Sequence, residues 1–142
     1  MSTLGRGARD RRCLGGLRVL VVDDDEDIRE ALLSILQFFG ADGDAVECAG
    51  AARALLAEQR FDVLLSDIEM PDEDGYQFIR SVRRSRRVGR IAAAAVTSRA
   101  STDDCRAALA AGFDRVVGKP LEVTALVDAV RELASAPRAK RP

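Results

Sequence analysis

The chain has 142 residues, 47% of them hydrophobic, and a formal net charge of −1 at pH 7. A chain of this size buries about two-thirds of its unfolded surface around one core, which leaves no room for a second folded domain. The balanced charge provides no general field for nucleic acid, and no apolar run approaches the roughly 20 residues of a membrane span, so we expect a cytoplasmic protein without direct DNA or membrane binding.

Apolar runs and turn signals divide the chain into three parts. We expect a flexible arm at residues 1–16, one folded domain at residues 17–135 and a basic tail at residues 136–142. Within the domain, the hydrophobic spacing predicts strand 18–22, helix 26–39, strand 44–48, helix 51–59, strand 61–66, helix 76–85, strand 91–96, helix 102–111, strand 113–117 and helix 122–134. Strands that alternate with helices in this way predict an α/β fold with a doubly wound parallel sheet.

Local signals mark several helix ends. Asp25 is placed to cap the first helix, and Gly40 is placed to end it. Ser101 and Asp104 form a start that resembles a capping box, with Asp in place of the usual Glu or Gln.

Acidic residues stand directly after two of the predicted strands. Asp23 and Asp24 follow the run 19–22, and Asp67 follows the run 63–66. Ligands of open α/β sheets bind at the carboxyl ends of the strands. If the two strands are neighbours, these carboxylates converge on one small site.

Such a cluster of acids requires a cation. Two unit charges about 4 Å apart repel by roughly 4 kcal/mol in a partly screened site, while a whole domain is stable by only about 5–15 kcal/mol. Oxygen ligands suit a hard divalent ion, and Mg²⁺ in particular is held by one or two carboxylates, water and phosphate. Asp23, Asp24 and Asp67 therefore indicate a magnesium site.

Two later strand ends supply groups that bind phosphate. The run 91–96 ends in Thr97 and Ser98, and the run 113–117 is followed by Gly118 and Lys119. A hydroxyl donates a hydrogen bond to a phosphoryl oxygen, and an ammonium group offsets its charge. With Lys119, the three acids leave a formal charge of −2, which one Mg²⁺ neutralises.

In this order and spacing, the chain resembles the receiver domain of two-component response regulators. The resemblance extends from about residue 18 to residue 133 and rests on the stretches RVLVVDDDEDIREALLSIL, FDVLLSDIEMPDEDGYQFIRSVR, AVTSRAS and AALAAGFDRVVGKPLEVTALVDAVREL. It implies a flavodoxin-like (βα)5 fold with the strand order 2-1-3-4-5. It also implies a phosphorelay function.

The resemblance assigns roles to the residues of the site. Asp67 is implied as the phosphoacceptor, and Asp24 and Asp67 as direct Mg²⁺ ligands. The backbone carbonyl of Glu69 is implied as a third ligand, with Asp23 acting through water. Thr97, with Ser98 beside it, and Lys119 would hold the phosphoryl oxygens.

The implied partner is a sensor histidine kinase or a His-containing phosphotransfer protein, which donates the phosphoryl group. The chain has no histidine, so it cannot pass the group on from one of its own. We expect no enzyme activity beyond its own phosphorylation and dephosphorylation. The signal would pass to an unknown downstream protein through altered binding, and the chain would be either a stand-alone receiver or the separated receiver of a hybrid kinase.

Two features bear on how such a receiver signals. Val116 stands where receivers commonly have Tyr or Phe, which puts the usual relay from the threonine to an aromatic ring in doubt. A simple packing role for the valine is the alternative. Glu69 and Arg99 flank the site with opposite charges, and we expect them to tune the lifetime of the aspartyl phosphate or to be merely solvated.

Two other functions stay open. The pair Asp67 and Glu69 has the acid-x-acid spacing of haloacid-dehalogenase-type phosphatases, although their paired acids follow the nucleophile, whereas here they precede it. A pseudo-receiver that binds partners without phosphorylation is the second, and Val116 is the residue that favours it.

A basic run and three cysteines complete the sequence. Arginines cluster at the end of the third helix and in the loop after it, at Arg80, Arg83, Arg84, Arg86, Arg87 and Arg90. A solvated helix end is the simpler interpretation, and a docking patch for an acidic partner or nucleic acid is the alternative. The cysteines have no spacing typical of a disulfide framework or a zinc site.

Overall fold

The structure of the protein, a computed structural model, describes residues 11–136. Strands and helices alternate throughout this part of the chain, as the sequence predicts. In order they are β1 (Arg18–Val22), α1 (Glu26–Phe38), β2 (Asp42–Val46), α2 (Ala49–Glu58), β3 (Val63–Ser66), α3 (Gly75–Arg84), β4 (Ala92–Thr97), α4 (Thr102–Ala111), β5 (Arg115–Gly118) and α5 (Val123–Ser135).

The strands form one parallel sheet in the order β2-β1-β3-β4-β5, which confirms the predicted topology. The register pairs Val22 of β1 with Ser66 of β3. The backbone N–H of Asp67 then donates to the carbonyl of Val22 at 2.8 Å, so the residues that follow β1 and β3 emerge side by side. This pairing positions the acids identified in the sequence.

Helices cover both faces of the sheet, and each face has its own apolar core. The core on one face includes Leu32 and Leu36 of α1 with Leu126 and Val130 of α5. The core on the other face is built by α2, α3 and α4, with Phe78 of α3 fully buried. Strands β3 and β4 are buried along their whole length because both of their faces are covered.

The predicted caps are present at two helices. Asp25 accepts hydrogen bonds from the backbone N–H groups of Asp27 and Ile28, and Ser101 and Asp104 form a capping box at α4. A further capping box, between Asp74 and Gln77, begins α3.

The second strand is the least accurate of the predicted elements. It begins at Asp42, two residues earlier than expected, and α2 correspondingly begins at Ala49 rather than at residue 51. The polar segment carries little apolar signal because β2 lies at the sheet edge and none of it is fully buried. Its register depends on Gly43, where a Cβ atom would lie 2.3 Å from the carbonyl oxygen of Val19.

The last residues of the expected N-terminal arm pack onto the domain. Residues 11–16 form turns, the backbone N–H of Leu14 donates to the carbonyl of Phe39 at 2.9 Å, and the Leu14 side chain is fully buried in the core beside α1. An isolated leucine in a polar segment carries no periodic signal, so the sequence placed it outside the domain. The rest of the arm and residues 137–142 of the expected tail lie outside the described residues. Among the helices described, none is long and apolar enough to cross a membrane.

Candidate functional site

The side chains that the sequence singled out lie at the carboxyl edge of the sheet. Asp23 follows β1, Asp67 follows β3, Thr97 is the last residue of β4 and Lys119 follows β5. Each is placed there by the end of a strand, so the parallel sheet alone brings them to one edge. The backbone N–H of Lys119 donates to the carbonyl of Thr97 at 2.9 Å, which fixes the two neighbouring strand ends.

Three carboxylates converge at this edge. Asp23, Asp24 and Asp67 each offer an oxygen, and these oxygens lie within 4.8 Å of one another. Asp23 and Asp67 are buried, with exposures of 1% and 7%, while Asp24 is open to solvent. A hard-oxygen donor set with one exposed side fits Mg²⁺, which keeps several waters when it binds to protein carboxylates.

The ammonium group of Lys119 lies against the two buried acids. Its Nζ is 2.9 Å from Oδ2 of Asp23 and 3.7 Å from Oδ1 of Asp67. Burial acts to lower the pKa of Lys119, but the hydrogen bond to Asp23 and the charges of both carboxylates outweigh it and raise the pKa above its usual value. The lysine therefore stays charged and offsets part of the negative charge.

Asp67 is held by the backbone that follows it. Its Oδ1 accepts hydrogen bonds from the N–H groups of Ile68 and Glu69 at 2.8 and 3.3 Å. Within residues 11–136, its Oδ2 accepts none. Burial, and then the charge of Asp23, raise the pKa of Asp67 above its usual value, although Lys119 and the two N–H groups oppose that rise.

Helix α3 begins very close to the loop that carries Asp67. The N–H of Gly75 donates to the carbonyl of Ile68 at 2.7 Å. A Cβ atom at Gly75 would lie 2.4 Å from the carbonyl oxygen of Asp67, so only glycine permits this approach. The helix begins at Gly75, one residue before its predicted start, and the contact with the acceptor loop explains why a glycine stands there.

Asp23 is anchored by an arginine that the sequence analysis did not single out. The guanidinium of Arg29, in α1, donates to the backbone carbonyl of Asp23 at 2.8 Å, and Oδ1 of Asp23 accepts from the N–H of Asp25 at 2.9 Å. The carboxylate is thus held from two sides, with Lys119 on its other oxygen. An arginine on an otherwise polar helix face gives no signal of this contact in the sequence.

The two predicted hydroxyls differ in their surroundings. Thr97 is fully buried, and its Oγ1 accepts a hydrogen bond from the backbone N–H of Arg99 at 3.0 Å. That bond leaves the hydroxyl hydrogen available to donate. Ser98 is exposed and makes no side-chain hydrogen bond among the residues that the structure describes.

Glu69 and Arg99 form an ion pair at the edge of the site. A guanidinium nitrogen of Arg99 lies 2.9 Å from Oε2 of Glu69, and both side chains are more than half exposed, at 61% and 52%. Opposite charges at these positions do pair, as the sequence suggested. Their effect on the lifetime of a phosphate stays a prediction.

Val116 lies in β5 beside the core of α2, α3 and α4. It is partly buried and packs against that core. The side chain is thus a packed strand residue, and it has no ring that could turn between two positions. This agrees with the simpler of the two interpretations of the valine.

Comparisons with known proteins match this chain to one family. A family model for the response regulator receiver domain matches residues 19–131. An uncharacterized 14.6 kDa protein of Leptolyngbya boryana is 34% identical over 119 residues, which cover 84% of this chain and 91% of that protein. The response regulator protein FleR of Pseudomonas aeruginosa is also 34% identical, over 80% of this chain, but the match spans only 24% of FleR.

Solved structures agree with the fold. The chemotaxis response regulator CheY4 of Vibrio cholerae superposes with a TM-score of 0.78 at 26% identity, and the match covers 82% of this chain and 98% of CheY4. The match covers most of this chain and nearly all of CheY4, so the acid cluster described above lies in a fold that both proteins share.

Proposed function

This chain belongs to the response regulator receiver family, and on that basis we propose that it accepts a phosphoryl group on Asp67 in a phosphorelay. One observation carries the proposal. The carboxylates of Asp23, Asp24 and Asp67 meet within 4.8 Å of one another, with the ammonium group of Lys119 beside them. Two buried acids and a partly buried cation at the edge where α/β sheets bind ligands are typical of a site that holds a charged group.

The geometry suggests which oxygen reacts. Oδ1 of Asp67 is occupied by the N–H groups of Ile68 and Glu69, so Oδ2 is the oxygen that forms the bond to phosphorus. As that bond forms, the bond between phosphorus and the imidazole nitrogen of the donor breaks, and the electron pair stays on the imidazole. Lys119 and the Thr97 hydroxyl would then bind the phosphoryl oxygens.

Asp23, Asp24 and Asp67 are the residues that would hold Mg²⁺, together with the backbone carbonyl of Glu69. The ion would supply positive charge that offsets the carboxylates and the phosphoryl oxygens. The chain's own residues position the acceptor: Arg29 and the N–H of Asp25 fix Asp23, and the N–H groups after Asp67 fix its carboxylate.

The proposed donor is a histidine kinase or a His-containing phosphotransfer protein, and the proposed output is altered binding to a downstream protein. Because Val116 has no ring, we propose that the change passes through the backbone after Thr97, whose hydroxyl holds the N–H of Arg99. When Thr97 turns toward a phosphoryl oxygen, that hydrogen bond breaks and the segment before α4 is released. A cytoplasmic location stays a prediction.

Intact mass spectrometry tests the acceptor. The full chain is incubated with acetyl phosphate, with and without Mg²⁺, and we expect one added phosphoryl group that depends on the metal. Asp67→Asn should abolish it, whereas Asp103→Asn, a change at a fully exposed acid of α4, should leave it unchanged. A phosphomonoester should not be turned over, because a receiver takes one group and stops.

The possible outcomes separate the candidate functions. Modification that persists in Asp67→Asn would place the acceptor elsewhere. No modification under any condition would favour a pseudo-receiver that binds partners without phosphorylation. Repeated turnover of the phosphomonoester would indicate a phosphatase.

A further inference from the structure

A groove between α2 and α3 opens at the amino edge of the sheet, on the side opposite the acid cluster. Its mouth is a cavity of about 360 Å³ between the end of α2 and the loop that precedes β4. A second cavity of about 160 Å³ adjoins it, and Leu56, Arg87 and Val88 line both. We call the two cavities together the α2–α3 groove.

Three arginines give the mouth of the groove its charge. Arg60, Arg87 and Arg90 line it, all three are exposed, and none forms an ion pair with any residue in the described range 11–136. Other arginines nearby are already paired: Arg53 with Glu73 at 2.6 Å and Arg18 with Asp44 at 3.3 Å. A concave surface with uncompensated guanidinium groups concentrates anions, and guanidinium groups bind carboxylates with two parallel hydrogen bonds.

The inner cavity has a different character. Leu56, Ala57, Val82 and Val88 form the apolar part of its wall, and the wall is completed by Arg53, Ser81, Ser85 and Arg87. An apolar cavity of about 150 Å³ holds a benzene-sized group, so the 160 Å³ here is enough for one aromatic or large aliphatic side chain. When such a side chain fills a pocket and charged contacts surround it, that side chain provides most of the binding affinity.

We propose that the α2–α3 groove binds an acidic peptide segment of a partner protein. One aromatic or aliphatic side chain of the segment enters the inner cavity, and its carboxylates pair with Arg60, Arg87 and Arg90. This goes beyond the proposed phosphoacceptor function and does not require Asp67 to be modified.

The charge of the chain itself argues against its own ends as the occupant. Residues 1–12 contain four arginines and a single aspartate, and residues 137–142 contain three basic residues and no acid. Both ends would be repelled by the mouth of the groove. Single-stranded nucleic acid is disfavoured because the groove offers no aromatic face for stacking: Phe61, the aromatic residue in its lining, is only 7% exposed, and the guanidinium carbon of Arg18 lies 4.7 Å from its ring centroid.

Fluorescence anisotropy with the full chain tests the proposal. The probe is a fluorescein-labelled peptide of sequence DEEFEED, compared with DEEGEED, which lacks the anchor. We expect saturable binding of the first peptide and at least about tenfold weaker binding of the second. Arg87→Glu should weaken binding of the first peptide by about tenfold or more, since Arg87 lines both cavities.

Arg131→Glu is the matched control. Arg131 is exposed on α5, whose buried side packs into the core on the other face of the sheet, and it forms no ion pair with the residues that the structure describes. The same change of charge there should alter the affinity by less than about twofold. In two-dimensional amide NMR, the cross-peaks of Ala57 and Val88 should shift on titration with DEEFEED.

Several results would overturn the proposal. Absence of saturable binding up to about 1 mM peptide would do so, as would equal affinity for the two peptides. Equal loss of binding in the Arg87 and Arg131 variants would reveal a general charge effect. Tighter binding of a duplex DNA, lost on Arg87→Glu, would assign the groove to nucleic acid instead.

Discussion

The two edges of the sheet carry opposite charge and are built in different ways. At the carboxyl edge, three acids lie together with one lysine beside two of them, and each of these residues stands one or two positions after a strand. At the amino edge, arginines that form no ion pair within residues 11–136 line a groove formed by helix ends and by the loops that lead into strands. The first edge therefore has an excess of negative charge that a cation would offset, and the second has an excess of positive charge that attracts anions.

The difference shows which positions of a parallel sheet hold functional side chains in fixed places. A residue after a strand has its position fixed by the strand, so acids that are 44 positions apart, Asp23 and Asp67, come together whenever β1 and β3 pair. A residue in a helix end or a loop before a strand has no such constraint. At the amino edge, some arginines stabilise the fold, whereas others line the groove.

Arg83 belongs to the same basic run as the arginines of the groove, but it has a structural role. Its guanidinium donates to the carbonyls of Gly112, Gly89 and Ile91 and lies 3.1 Å from Asp114. Arg83→Ala would remove a donor from three backbone carbonyls and the cation that pairs with Asp114, so we expect the free energy of unfolding to fall by about 4 kcal/mol. Urea denaturation measures this.

Arg84→Ala is the control for that prediction. Arg84 is the next residue of α3 and is exposed, so its loss should change the free energy of unfolding by less than about 0.5 kcal/mol. If both variants were equally stable, the amino edge would have no structural arginine, and the contrast between Arg83 and the groove would disappear.

Lys119 is the corresponding test at the carboxyl edge. Lys119→Met removes the only basic side chain that pairs with the carboxylates of Asp23 and Asp67 among the residues described. Two buried carboxylates would then repel each other without compensation, and we expect a loss of roughly 3 kcal/mol of stability in EDTA. Because a divalent cation replaces part of the missing charge, added Mg²⁺ should restore some of it. No response of the variant to Mg²⁺ would contradict the proposed metal site.

The stability of the domain should also depend on the charge of Asp67 itself. Its pKa is raised in the folded state, chiefly by burial and then by Asp23. The folded state therefore holds this proton more tightly, and stability is highest below the unfolded pKa and falls as pH rises through the folded pKa. At pH 7 the charged group is destabilising.

Asp67→Asn should therefore raise the free energy of unfolding at pH 7 in EDTA by about 1 kcal/mol. The gain should shrink as the pH is lowered, because the wild-type carboxyl group is then neutral as well. Urea denaturation at a series of pH values measures both effects. A variant that is less stable than the wild type at pH 7 would show that Asp67 is not under electrostatic strain.

The smallest expected effect concerns the exposed ion pair at the site. If Glu69 and Arg99 restrict the attacking water, Glu69→Ala and Arg99→Ala should each speed the decay of phosphorylated protein by about threefold, the scale of an exposed pair. The double variant should decay no faster than either single variant. The exposed pair Asp103 and Arg106 in α4 is the control, and its removal should leave the decay unchanged.

The contrast between the edges also explains which contacts can be predicted from the sequence and which cannot. The acids, Thr97 and Lys119 were found because each stands at the end of an apolar run, and the strand order then followed from family resemblance. Arg29 and Arg83 were not assigned contacts, because a guanidinium that reaches backbone carbonyls leaves no local pattern. Leu14 was missed for a related reason: a single apolar residue in a polar segment has no period.

The α2–α3 groove, like the contacts of Arg29 and Arg83, leaves no local pattern in the sequence. Its wall combines residues from α2, from α3, from the loop before β3 and from the loop before β4, and these share no spacing in the sequence. The sequence analysis did identify Arg87 and Arg90 as part of a basic run. It could not show that Arg60, some 27 residues earlier than Arg87, lies with them.

The close contact of Gly75 with the acceptor loop has a mechanical consequence. Helix α3 starts against the carbonyl of Asp67 and ends near the groove, so a rod of ten residues, about 15 Å long, joins the two edges. A change of its position at one end would therefore also move the other end. Thermodynamic linkage is reciprocal, so if phosphorylation shifts α3, a peptide that binds the shifted helix more tightly would bind the phosphorylated protein more tightly.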